Sequence, residues 1–359
     1  MGFARYIPIA FLVAGLVLVQ QVTQHTGTTF YLTQLTMAAY YALVITGLCL
    51  LMGYAGQISL GHAGFFAIGG YIPAALTTYN LEPLREKWLV QTLDAAGLLT
   101  AGQDLYGQQV LHVHPWPSCI LALLLTAGLA FVIGMPVLKL KGHYLAMATL
   151  GFGTIVYRVF LAMPLFGEAD GISAVPPFPL LPGVTVSGDF AARTENYYIA
   201  FGLLIVGLLF LINLVHSRIG RAFRAIHGSE EAANAMGINT PRLKLQAFVI
   251  SAVFAALAGV FLTHYNGGIG PSEASVMKSI RYVAIVAVGG MASLWGVFFM
   301  GILLNFMSLR GMFGTYDDAV FGVILILIML FAPNGLLRLH LWQRMRRWRG
   351  VDKPKSRTE

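Results

Sequence analysis

Ile199 to Val215 reads "IAFGLLIVGLLFLINLV", and Ala319 to Ala332 reads "AVFGVILILIMLFA". Uncharged apolar runs of this length leave a chain few options. A helix that crosses a bilayer needs about 20 mostly apolar residues, within a range of about 17–25. Of the 359 residues, 57% are hydrophobic and only 11% charged, where a soluble domain carries about a quarter charged residues. In lipid each backbone polar group must be paired internally, which favours helices. The expected fold is all-α, a polytopic membrane helical bundle.

Ten membrane segments are expected, some of them short or broken, at 7–23, 29–52, 61–79, 117–138, 143–164, 197–216, 245–266, 282–292, 296–309 and 319–333. The eighth and ninth are joined by "GGMASLWG" (Gly289 to Gly296), which reads either as a tight turn at a membrane face or as a kinked helix. With an inside N-terminus, ten crossings return the C-terminus to the inside. Sixteen of the 23 basic residues then lie inside and eleven of the 15 acidic residues outside. That asymmetry supports N-in and C-in. Residues 1–337 form the membrane domain, 217–244 an inner loop, 80–116 and 165–196 long outer loops, and 338–359 a basic inner tail. The net charge of +8 reports orientation here and points to no nucleic-acid partner. Cys49 and Cys119 fall in or beside apolar runs, so neither a disulfide framework nor a metal site is expected. The first run lacks a cleavage site and reads as a retained helix.

No Asp or Glu falls inside these segments, and Arg158 is the one charge within them. Carriers driven by protons or sodium place carboxylates at mid-membrane, so a secondary carrier is disfavoured. A membrane-embedded enzyme is disfavoured too, because no acid–His or Cys–His arrangement can be placed together. Nor is there a charged clamp for a zwitterionic solute.

"GYAGQISLGHAGFFAIGGY", Gly53 to Tyr71, is unlike its surroundings. Glycine weakens an exposed helix by up to about 1 kcal/mol, but in membranes small residues let backbones approach closely. Gly61, Gly64, Ala67 and Gly70 recur at helical spacing and form a packing stripe, a surface also suited to a partner subunit. The polar break "GYAGQIS" leaves helix geometry, which requires protein or a water-filled cavity around it. Gln57, Ser59 and His62 therefore either line a pathway or cap and bridge helices. Ser293, beside Gly289–Met291, is a similar candidate from the second half of the chain.

The inner loop "SRIGRAFRAIHGSEEAANAMGINTPRLK" contains a short helix with its own start and stop. Ser229 is an N-cap residue, and Glu230 and Glu231 suit the first turn through the helix dipole. Ala232, Ala233 and Ala235 are good helix formers, and Gly237 terminates. So short a helix needs a surface to pack on, either its own subunit or another protein's groove.

Glu231-Ala232-Ala233 followed by Gly237 resembles the E-A-A-x-x-x-G coupling loop of bacterial ATP-binding-cassette importer permeases. "GQISLGHAGFFAIGGY", "LKLKGHYLAMATLGFG", "GRAFRAIHGSEEAANAMGIN", "AVGGMASLWG" and "APNGLL" follow in the order of the high-affinity branched-chain amino-acid permeases, M-type subunit. The similarity runs from about residue 29 to 337. It departs at Gly167–Ser173 and in the long 80–116 loop, both on the side where solute arrives. The resemblance implies a bacterial inner-membrane importer for branched-chain or other hydrophobic amino acids, with urea or short amides as the alternative cargo. It also implies partners: a second, H-type permease, two ATPase subunits and a periplasmic solute-binding protein. ATP and Mg would be held by the ATPases, since this chain has no phosphate-binding G-x-x-x-x-G-K-[ST] loop. Residues 229–237 would couple to them.

Overall fold

The computed structural model of the chain describes residues 7–103, 108–312 and 314–331. Arg5, the "APNGLL" block and the 338–359 tail lie outside the described residues. Within them the chain forms α1 (Ile7–His25), α2 (Phe30–Cys49, prolonged by a π-turn over Leu50–Tyr54), α3 (His62–Thr78), α4 (Trp88–Ala95), α5 (Pro115–Val137), α6 (His143–Ala162) and α7 (Arg193–His216). There follow α8 (Arg218–Gly228), α9 (Glu230–Ala235), α10 (Thr240–Asn266), α11 (Val276–Gly289), α12 (Leu294–Leu309) and α13 (Asp317–Phe331). Ten of these helices fall on the ten expected segments. Six are long and apolar enough to cross a membrane: α1, α2 with its π-turn, α5, α6, α7 and α10. The protein is a multi-pass membrane protein.

Burial divides the helices into an axis and a shell. The α2 window is 89% buried and that of α1 17%. α2 is apolar all round, as a helix enclosed by others must be. α12, α10 and α7 pack on it and α3 packs on α10, with Phe65, Phe66, Ala255 and Val260 buried in the core. The chain's connections gather at two ends. At one, Gly56 touches His227 and Lys141 faces Glu231. At the other, Trp116 donates to the Pro179 carbonyl at 2.7 Å and Arg310 to the Tyr31 hydroxyl at 3.1 Å. Alternation of ends along the chain agrees with alternating crossings.

The structure adds what an all-helical reading does not anticipate. The connections at the Trp116 end carry three small antiparallel pairs: β1 (Leu99–Gln103) with β2 (Gln109–Val113), β3 (Ile172–Ser173) with β6 (Gly268–Ile269), and β4 (Phe178–Leu181) with β5 (Val184–Val186). They occupy the loops, where water can satisfy strand edges that lipid would not.

One expectation is corrected. The helices reach past the expected segments and carry more charge than Arg158: α11 begins at Val276 rather than 282 and includes Lys278 and Arg281, and α13 begins at Asp317 and includes Asp317 and Asp318. Segments bounded by hydropathy stop at charges, whereas a helix continues wherever the charges find partners. Lys278 pairs with Glu273 at 3.0 Å, and Arg281 with Asp317 at 2.6 Å and Asp318 at 2.9 Å. Arg158 itself is exposed beside the Tyr157 ring.

Candidate functional site

The polar break begins where α2 ends. After the π-turn the backbone runs without helix from Ala55 to Gly61, with Ala55, Gln57, Ser59 and Gly61 buried and Gly56 and Ile58 exposed. Gly53 packs on the carbonyl of Met291 with no room for a side chain. The Tyr54 hydroxyl donates to the Ala292 carbonyl at 2.9 Å, and the Cys49 thiol to that of Met291 at 3.4 Å. The two Gly-rich interruptions, distant in sequence, thus meet. The second is a tight turn, closed by Ser293 N–H to the Gly290 carbonyl at 2.8 Å. Ser293 is half-buried and caps α12 through the Gly296 N–H at 3.2 Å.

His62 is fully buried and joins two hydroxyls, Ser59 Oγ at 3.1 Å and Ser251 Oγ at 2.6 Å. A neutral imidazole has one donor and one acceptor, so it serves both at once and ties the break to α10. Gln57 is also buried, but its amide has no partner among the described residues. It borders an inner-end cavity of about 160 Å³ together with Gly56, Lys141, His227, Glu230 and Lys244. Of the four polar residues singled out from sequence, Ser59 and His62 come together, while Gln57 and Ser293 stand apart. Ser251 and Tyr54 were not legible, being lone polar side chains in apolar surroundings.

The small residues of α3 pack within the chain. Gly61 and Gly64 lie against Thr149 and Gly153 of α6, and Gly70 against Thr263 of α10. Ala67 is fully buried. Gly259 brings α10 onto the Phe66 carbonyl. The stripe is consumed by α6 and α10, so it offers no face to a partner subunit.

Residues 217–244, expected as an inner loop, fold as a helical pair leading into α10. α8 buries Gly220, Phe223 and Ile226 and exposes Arg218, Arg221 and Arg224, an amphipathic pattern. Its last turn rests on the break: Gly56, at φ +70°, has His227 where a side chain would stand. α9 starts at Ser229, whose Oγ accepts from Ala232 N–H at 3.2 Å. It ends at Gly237, whose φ of +80° suits glycine. Here Gly237 N–H reaches the Asn234 carbonyl and Ile238 N–H that of Ala233, closing the helix as a Schellman motif. Glu230 turns inward to Lys244 and Thr240. Glu231 is exposed, 3.8 Å from Lys141. The three alanines do not share a face: Ala233 is buried against its own chain, and Ala232 and Ala235 are exposed beside Met236. A periodicity argument over six residues could not separate them.

Among the described residues no group of three His, Cys, Asp or Glu could hold a metal ion. A charged cluster occurs at the start of α11. Glu273 and Lys278 form an ion pair, and the Tyr41 hydroxyl donates to both Glu273 oxygens at 3.2 Å. The signal for it was faint. Lys278 precedes an apolar run, and Glu273 stands in a Gly-, Pro- and Ser-rich connection that reads as an outer loop.

Residues 30–330 match the family described as "Branched-chain amino acid transport system / permease component". The chain is 32% identical over 323 residues to the high-affinity branched-chain amino acid transport system permease protein LivM of Salmonella typhimurium, covering 84% of this chain and 68% of that one. Identity to LivM of Escherichia coli is 33% with the same coverage. To the permease protein LivH of Escherichia coli it is 25% over 313 residues, 84% of this chain and 92% of that one. No solved structure matches the chain.

Proposed function

Because the chain belongs to the branched-chain amino acid transport permease family, we propose that it is the M-type membrane subunit of an ATP-driven importer in the bacterial inner membrane, carrying branched-chain or other hydrophobic amino acids. It works beside a second, H-type permease, as the similarity to both LivM and LivH implies. Two ATPase subunits supply the energy, and a periplasmic binding protein delivers the solute.

The observation that carries the mechanism is the chain of contacts from α9 to the membrane interior. The exposed side of α9, with Glu231, Ala232 and Met236, is the surface for the ATPase. α9 is bound to α10 through Glu230, Lys244 and Thr240. It follows α8 directly, and α8 ends on Gly56. From there the break runs to the Gly290–Ser293 turn through Gly53 and Tyr54. A displacement of α9 therefore reaches both helix interruptions through packed contacts and no flexible linker. Such adjacency makes coupling physically possible, and variants must demonstrate it.

Purified alone, the chain should hydrolyse no ATP. Expressed with its partners, it should copurify with a second permease and ATPase subunits and import leucine at the expense of ATP. Uptake by the isolated chain in liposomes, driven by a proton or sodium gradient, would overturn this function.

A further inference from the structure

α11 does not begin at the outer end of the bundle. Tyr41, which contacts the start of this segment, is about 16 Å along α2 from its outer end. The chain leaves α10, passes through β6 and re-enters as a short 3-10 turn, Pro271–Ala274, before Ser275 caps α11 through the Lys278 N–H. Ser279 reaches further in, accepting from the Ala63 N–H at the start of α3. Glu273 and Lys278 are thus held at membrane depth.

They are not sealed in. Their side chains retain 21% and 23% of their exposure, respectively. Ions at this depth are costly against hydrocarbon and face a bundle interior or a water-filled cavity. A face carrying them suits a water-filled pathway and does not suit lipid. Two further features belong to it. The Tyr282 hydroxyl is fully buried, has no hydrogen-bond partner among the described residues, and its ring lies 6.3 Å from that of Tyr41. Met277, beside Lys278, is 56% exposed, and a thioether chain adapts to varied apolar shapes.

We propose that Glu273, Lys278 and Tyr41 form a transient binding site for the two charged ends of a zwitterionic amino acid on its way through the membrane. This rests on the importer function above. The solute's ammonium takes the place of Lys278 on the Glu273 carboxylate, and its carboxylate takes the place of Glu273 on the Lys278 ammonium. Total charge at the site is zero before and after, so a zwitterion enters without leaving an ion unpaired. A cation or an anion would leave one, at the cost attached to a poorly solvated charge. A neutral amide would gain nothing from the exchange. Met277 meets the aliphatic side chain. Tyr41 touches both ions, with its hydroxyl on Glu273 and 3.2 Å from Lys278 Nζ, and holds the pair in place until it opens.

The test uses the full transporter in liposomes, with radiolabelled leucine at saturating binding protein. Lys278→Met, Glu273→Gln and the exchange Glu273→Lys with Lys278→Glu are compared with wild type for assembly, basal ATP hydrolysis and uptake. The expected result is intact assembly and basal hydrolysis, with uptake lowered by about tenfold or more in all three. The exchange variant is decisive, because it keeps an ion pair and reverses its direction. Wild-type uptake by the exchange variant or by either single variant would overturn the site. So would failure of all three to join the second permease, which would make the pair a structural bond. If the wild-type assembly carries no leucine, the importer function fails instead, whatever the variants do.

Discussion

Gly53 lies against the carbonyl of Met291 so closely that a β-carbon on Gly53 would overlap it. The contact joins the end of α2 to the turn between α11 and α12, across more than half of the chain. It also explains why glycine is needed in the middle of an apolar stretch. Gly53→Val should force the two backbones apart, at about 1–3 kcal/mol for overpacking. The expected outcome is a lower melting temperature in detergent together with reduced uptake. Unchanged values in both would show that the turn moves away freely.

Ala232 is exposed and the adjacent Ala233 buried, and arginine should separate their roles. Ala233→Arg pushes a charge into the subunit's own packing and should lower thermal stability by about 1–3 kcal/mol or more. Ala232→Arg projects from the exposed side and should leave stability unchanged. It should instead abolish ATPase copurification or solute-stimulated hydrolysis. Normal coupling in Ala232→Arg would remove this side of α9 from the interface.

His62→Ala deletes the group between Ser59 and Ser251. Two buried hydroxyls lose a partner, at about 1–3 kcal/mol each where no replacement forms. The variant should assemble poorly, and His62→Gln, which keeps a donor and an acceptor, should recover part of the yield. Full assembly of His62→Ala with a selective loss of uptake would instead assign the imidazole to the solute pathway.

Arg281 holds α13 to α11 and α12, bonding Asp317, Asp318 and Ser308. Its side chain is 15% exposed and that of Asp317 23%. Arg281→Leu should cost about 3 kcal/mol, the lower end for breaking a buried pair. Limited proteolysis should then cut between α12 and α13 faster than in wild type. Equal cleavage rates would mean that apolar packing alone docks α13.

Much of the architecture was legible because hydropathy is a local property and a bilayer imposes a length on it. The ten helices stand where their apolar runs stand, and the start and stop of α9 could be read from Ser229 and Gly237, since capping involves neighbours within one turn. What faces what was not legible. The Gly61–Gly70 stripe announces close packing, but only the fold shows that Thr149, Gly153 and Thr263 fill it. His62 is a lone polar residue in sequence and half of a polar tie once Ser251 arrives from α10. Glu273 and Lys278 looked like loop charges because hydropathy counts a charge as water-facing. Tertiary structure brought them together beside Tyr41, where the hydroxyl and their mutual pairing replace part of their contact with water. Composition and periodicity therefore determined that this chain is a bundle of membrane helices with a helical inner loop. Long-range packing alone decided which interruptions meet and which helix the Glu273–Lys278 pair rests on, because those contacts join residues that the sequence holds far apart.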